Sequence, residues 1–142
     1  MVERLKAEHN VDLEWRPFYL YFDTPPEGRD LPERVKQARA QGSEERLRQI
    51  AASYGMEFVS TPRIYNTRLA HEATEYAQVH GKGNEFHKLL VRKVYAEGQD
   101  PSQWDVLRSA AEEVGLDADE MQREVEDDQQ HRGQSPDTFA AQ

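Results

Sequence analysis

The sequence predicts a mainly α-helical domain carrying one β-strand. Apolar residues recur at helical spacing in six successive segments, each opened by a capping residue or closed by glycine. One segment near the N-terminus instead alternates apolar and polar residues with period two. No second stretch is long enough to complete a sheet around it. The 142 residues suit one domain. It is expected over residues 1–128, with the strand at 11–20, a helical region at 30–128, and a disordered tail at 129–142 rich in Gln, Asp, Gly and Pro.

The strand is Val11-Asp12-Leu13-Glu14-Trp15-Arg16, running on through Pro17, Phe18, Tyr19 and Leu20. Pro17 has no N–H to give to a ladder, so the strand lies near an edge or ends there. Glu57-Phe58-Val59 is the other candidate strand, and it is very short. Asp30 before Leu31-Pro32-Glu33 reads as an N-cap with proline in the first turn. Leu31, Val35 and Ala38 then share a face up to Gly42. Ser43 caps the next helix, whose stripe is Leu47, Ile50, Ala51 and Tyr54, closed by Gly55. Asn66 caps a helix to about His80 with the stripe Leu69, Ala73, Tyr76, Ala77. Gly81 and Gly83 break the chain. Phe86, Leu89, Leu90 and Val94, with Val91 and Tyr95 beside them, give a helix apolar over a wide arc, expected at the centre. Ser102 with Asp105 opens a helix bearing Leu107, Ala110, Ala111 and Val114, and Asp117 with Glu120 opens the last, with Met121 and Val125.

Composition removes several functions. There is no cysteine, hence no disulfide, thiolate metal site or sulfur nucleophile in these residues. No apolar run reaches membrane-spanning length, and Met1–Asn10 is charged, so the expected setting is cytoplasmic. The net charge of -9 falls wholly in residues 72–142, and Glu97 to Asp128 carries twelve acidic residues against Arg108 and Arg123. That surface repels phosphate backbones, so nucleic acid is not an expected partner. His71-Glu72-Ala73-Thr74-Glu75 has Glu75 where a zinc-protease pattern needs its second histidine. Together with His80 and His87 it is read as structural, and no metal is expected.

Four pieces in order carry a family resemblance: Glu14-Trp15-Arg16-Pro17-Phe18, Pro25-Pro26-Glu27-Gly28, Asn66-Thr67-Arg68-Leu69-Ala70-His71, and Tyr95-Ala96-Glu97-Gly98-Gln99-Asp100 followed by Val114-Gly115-Leu116-Asp117. From Glu3 to Glu126 the chain resembles the DsbA-like thioredoxin-fold family. Within it, the chain is most similar to cytoplasmic FrnE-type oxidoreductases and 2-hydroxychromene-2-carboxylate isomerases. The resemblance implies a truncated thioredoxin-like α/β domain: one strand plus the helical insertion. The family's first strand and Cys-x-x-Cys would precede Met1, with Met1–His9 the end of that helix. Its cis-proline and last two strands find no match after Glu126.

The family activity implied is thiol–disulfide exchange, which needs a thiolate and a resolving thiol. This chain is therefore expected to be inactive in that reaction, with no catalytic residue. The resemblance places the start of the helix at Asn66, Thr67 and Arg68 over the family's cleft, where free N–H groups suit an anion. Trp15, Pro17 and Phe18 are expected to line the same cleft. Glutathione or another small thiol is the implied ligand. Two alternatives stand beside this: a non-catalytic binding or assembly module that pairs through strand 11–18, as in a homodimer, and a glutathione-linked isomerase of small aromatic acids.

Overall fold

The computed structural model describes residues 2–12, 16, 18 and 20–132. Their helices are α1 (Val2–Glu8), α2 (Glu33–Ala40), α3 (Ser43–Ser53), α4 (Arg68–Val79), α5 (Gly83–Tyr95), α6 (Trp104–Glu113) and α7 (Ala118–Arg132). The mainly helical class predicted from periodicity is what the structure has. The β pairing among the described residues is one antiparallel bridge between Arg29 and Ile64.

The core belongs to α4–α7. On α4 the small residues Ala70, Ala73 and Ala77 are buried, which lets neighbouring helices approach closely. Phe86, Leu90 and Val94 of α5, Leu107, Ala110 and Ala111 of α6, and Met121 and Val125 of α7 fill the space between them. Phe86, Leu107 and Met121 are the largest fully buried side chains. Each contributes about 1.5–3 kcal/mol by leaving water. Gly115 ends α6 at a φ of 83°, and the Leu116 N–H then reaches back to the Ala111 carbonyl at 2.9 Å. Asp117 opens α7 by accepting the N–H groups of Asp119 and Glu120 at 3.0 and 2.9 Å.

Several expectations are corrected. Among the described residues α4 touches α5, α6 and α7, and α6 touches α4, α5 and α7, whereas α5 touches α4 and α6, so the centre expected for α5 is shared by α4 and α6. Buried alanines on both, Ala73 and Ala77 of α4 and Ala110 and Ala111 of α6, let neighbours approach closely. Gly83 does not break the chain but lies in the first turn of α5, against Gln78. Asp30 is not the cap of α2, which starts at Glu33 after an extended Pro32. Pro32 is itself extended, with a ψ of 147°, so Glu33 is the first helical residue, and the proline also disfavours a helical conformation at Leu31. Ser102 does not cap α6, because its N–H and hydroxyl both donate to Asp100 Oδ1.

Glu57–Val59 is not a strand. Its Val59 N–H donates to the Tyr95 carbonyl at 2.6 Å, and the Phe58 ring stacks on Tyr95. Helix α7 runs to Arg132, so Gln129–Arg132 are helical rather than part of a tail; residues 133–142 lie outside the described residues. The expected strand at 11–20 falls partly outside them too. Val11, Asp12, Arg16 and Phe18 lie in no strand, and Leu20–Asp23 is a turn.

Candidate functional site

Two loops meet at the start of α4. Tyr21–Arg29 comes from the N-terminal side and Arg63–Thr67 leads into the helix. They are joined by reciprocal backbone hydrogen bonds of 2.9 Å between Arg29 and Ile64. Gly28 makes this possible: its φ is +77°, and a Cβ there would stand 2.6 Å from the Ile64 carbonyl oxygen. Asn66 fastens the junction with both ends of its amide. Its Nδ2 donates to the Thr24 carbonyl at 2.7 Å, and its Oδ1 accepts the Arg68 N–H at 3.0 Å. The cap position expected for Asn66 is held by Thr67 instead; Asn66 stands one residue ahead of it, accepts the N–H of the first helical residue, and makes a second bond that sequence alone does not suggest.

Thr67 Oγ1 lies 3.2 Å from His71 Nε2, one turn along α4. Arg68 Nε donates to Glu72 Oε1 at 3.0 Å, and the buried Glu72 also accepts from Gln129 of α7. The Arg29 guanidinium sits over the Tyr21 ring, 4.7 Å from its centre, and bonds Asp23 at 3.2 Å. Three buried polar atoms, Thr24 Oγ1, Arg29 Nε and Arg63 Nε, have no hydrogen-bond partner among the described residues. Burial without a partner is unfavourable for such groups. The junction therefore holds unspent donors beside a helix N-terminus. It is polar and cationic, and none of its residues is a sulfur nucleophile.

Of the six residues singled out in the sequence, Asn66, Thr67 and Arg68 share this junction. Phe18 is 76% exposed, and Trp15 and Pro17 lie outside the described residues. Sequence reasoning missed Thr24, Arg29 and Arg63. A weak signal was there in Gly28 directly before Arg29, since glycine marks close backbone approach.

The histidines divide into two settings. His80 caps α4, with Nδ1 2.9 Å from the Tyr76 carbonyl and its ring 4.0 Å from that of Tyr76. His71 and His87 lie on facing helices. Burial holds the pKa of His71 below the ordinary value, with Glu72 acting weakly the other way. Burial also lowers that of His87, and the charge of His71 lowers it further. Among the described residues no three His, Asp or Glu side chains gather as a metal site, and no helix is long and apolar enough to cross a membrane.

The model of the DSBA-like thioredoxin domain matches residues 1–141. The chain belongs to that family. It is similar to the uncharacterized protein YwbO of Bacillus subtilis (strain 168), with 30% identity over 118 residues. The matched region covers 81% of this chain and 56% of YwbO, so the chain spans little more than half the length of that relative. In this chain α4–α7 form a helical unit with its own core, and the junction at Asn66 adjoins the start of α4.

Proposed function

We propose that this chain is a DsbA-like thioredoxin domain protein that performs no disulfide exchange by itself and holds a small anionic thiol or organic acid at the start of α4. What carries the first half is the lack of cysteine in a chain of this family. Exchange proceeds by thiolate attack on a disulfide sulfur, and no other side chain here substitutes for it. The second half is supported by the donors at the junction. The first N–H groups of α4 and its dipole favour an anion, and the guanidinium groups of Arg63 and Arg68 add positive charge. The four sequence pieces favour the FrnE-type and isomerase branches within the family. Glutathione fits as the ligand, having carboxylates for this cluster and a thiol of its own.

An insulin-reduction assay on the purified chain is expected to give background rates, and turnover that survives metal and thiol controls would overturn the first half. For the second half, backbone amide shifts are followed while glutathione is titrated to about 10 mM, the range of weak binding. Residues 67–70 are expected to move, and Arg68→Gln to weaken the effect. Unmoved amides at that helix start would sink the assignment. Beyond those sequence pieces, the isomerase and strand-pairing readings have no specific observation in their favour.

A further inference from the structure

Gly28 admits the bridge between the two loops, and it also seats a side chain from across it. A Cβ at Gly28 would stand 3.1 Å from Arg63 Nε and 3.6 Å from its Cζ, so the end of the arginine lies against the bare glycine. Nε is buried there with no hydrogen-bond partner among the described residues. The two Nη nitrogens are neither sealed from water nor bonded among those residues, so the outer edge of the guanidinium is open. That edge presents a pair of parallel donors. Pinned at Nε, it loses little freedom when a ligand binds.

Its charge is unspent as well. The chain has 27 acidic side chains against 18 basic ones, and Arg29, Arg39 and Arg68 are paired with Asp23, Glu44 and Glu72. Among the described residues Arg63 has no such pair, although it is half-buried; Arg46 and Arg123 also have none, but they are exposed. Of the two guanidinium groups near the start of α4, Arg68 is therefore occupied and Arg63 is not. Burial, and then the charge of Asp100, raise the pKa of the Tyr65 phenol, while the charge of Arg63 lowers it. The phenol thus stays protonated, a further donor within range of both charges. Asp100 itself accepts from the N–H and hydroxyl of Ser102. Its repulsion grows with the charge of an incoming anion, which favours a carboxylate over a phosphate dianion.

We infer that Arg63 is the carboxylate-recognising residue of this junction, its two Nη groups donating to the two oxygens of one carboxylate, so that the ligand is read by its carboxylate and not by its thiol. The inference rests on the reading of the junction as an anion site, and it names the class of anion: a small molecule with a free, singly charged carboxylate, with or without sulfur. Pairing of the two forks is stronger and more directional than attraction to a point charge, so lysine is no substitute at this position.

The test follows the Arg63 Nε–Hε cross-peak of the full chain by NMR, beside the backbone amides of residues 67–70. The probes are glutathione, S-methylglutathione, glutathione diethyl ester and inorganic phosphate, each to about 10 mM. The two free acids are expected to move the Arg63 signal with equal affinity, and the ester and phosphate to leave it in place. Arg63→Gln and Arg63→Lys are each expected to weaken glutathione binding about tenfold, the loss of one charge-assisted hydrogen bond, and Arg68→Gln to weaken it less. Arg63→Lys binding as the parent does would overturn the inference. So would an Arg63 signal moved by the ester or by phosphate, or by glutathione and not by its S-methyl form. Amides 67–70 moving while Arg63 is silent would overturn it and leave the helix-start reading intact. The reverse pattern would uphold Arg63 and remove the helix start. Silence at both would overturn both.

Discussion

Lys93 of α5 donates from Nζ to Glu113 Oε1 of α6 at 2.6 Å, and the two side chains differ sharply in exposure, 7% for lysine and 52% for glutamate. Ser109 Oγ is a second partner of the ammonium at 3.2 Å. The two ends of the pair are therefore unequal. Removing Glu113 strands a buried cation, while removing Lys93 leaves a carboxylate that water can reach. Glu113→Ala is expected to melt well below Lys93→Met, by about 5 °C or more for a domain of this size. Equal melting temperatures would mean that the ammonium is hydrated in the folded state. The Lys93 hydrogen bond, the largest influence, holds the Glu113 carboxyl below its ordinary pKa. A lowered carboxylate contributes stability above its unfolded pKa, and loses it as the pH falls through the folded one. This part of the acid response belongs below about pH 4.5.

A second acid response comes from His71 and His87, at higher pH. Burial on the α4–α5 side lowers the pKa of both, and repulsion from a protonated His71 lowers that of His87 further. For a base with a depressed folded pKa, the unfolded chain takes up protons first. Stability is then full above about 6.5 and declines as the pH falls from there towards the folded values. Thermal melts are expected to move down between pH 7 and 5, and His71→Gln with His87→Gln to flatten that slope. The variant would keep the loss below pH 4.5, which separates the histidine contribution from that of Glu113.

The sequence made the core helices legible because their stripes and stops agree. Leu69, Ala73, Tyr76 and Ala77 recur at helical spacing after Asn66, and Leu107, Ala110 and Ala111 do so before Gly115. The same signal in Leu47, Ile50 and Tyr54 marks a helix face that the structure leaves half exposed. Periodicity reports that a helix has an apolar face, and is silent on what covers it. The site was half legible for a related reason. The bond from the Arg68 N–H to Asn66 is local, across two residues, but the bond of Asn66 to Thr24 spans 42 positions and rests on the Arg29–Ile64 bridge. Neither leaves a periodic trace. Lys93 looks like one more surface charge in the sequence. Its burial follows from the way α5 crosses α6.

The double bond of Asn66 yields a test that ordinary capping would not pass. Asp is as good an N-cap as Asn and would keep the acceptor for the Arg68 N–H. It has no donor for Thr24, and would set a carboxylate against that carbonyl. Asn66→Asp is therefore expected to destabilise by about 1–2 kcal/mol, close to the loss in Asn66→Ala. Denaturant melts would measure both. If Asn66→Asp matched the parent, the clasp to Thr24 would contribute nothing.

Gly83 gives the opposite of its usual outcome. Its φ is not in the left-handed region, and it sits within the first turn of α5. On propensity alone, alanine there would be favoured by up to about 1 kcal/mol. The Cβ, however, would lie 2.9 Å from Gln78 Cβ and 3.0 Å from Gln78 Cα, so α4 and α5 would have to part at their shared corner. The backbone atom cannot rotate away as a side-chain tip can. Gly83→Ala is expected to cost about 1–3 kcal/mol, the scale of overpacking. Gly81, which carries a φ of +73° but has nothing within 4 Å of an added Cβ, is the control. Its alanine variant should suffer backbone strain alone, about 1–2 kcal/mol. Amide exchange distinguishes the two mechanisms: Gly83→Ala should loosen both α4 and α5 at the corner, and Gly81→Ala only the end of α4. A Gly83→Ala protein as stable as the parent would show that the corner opens without loss.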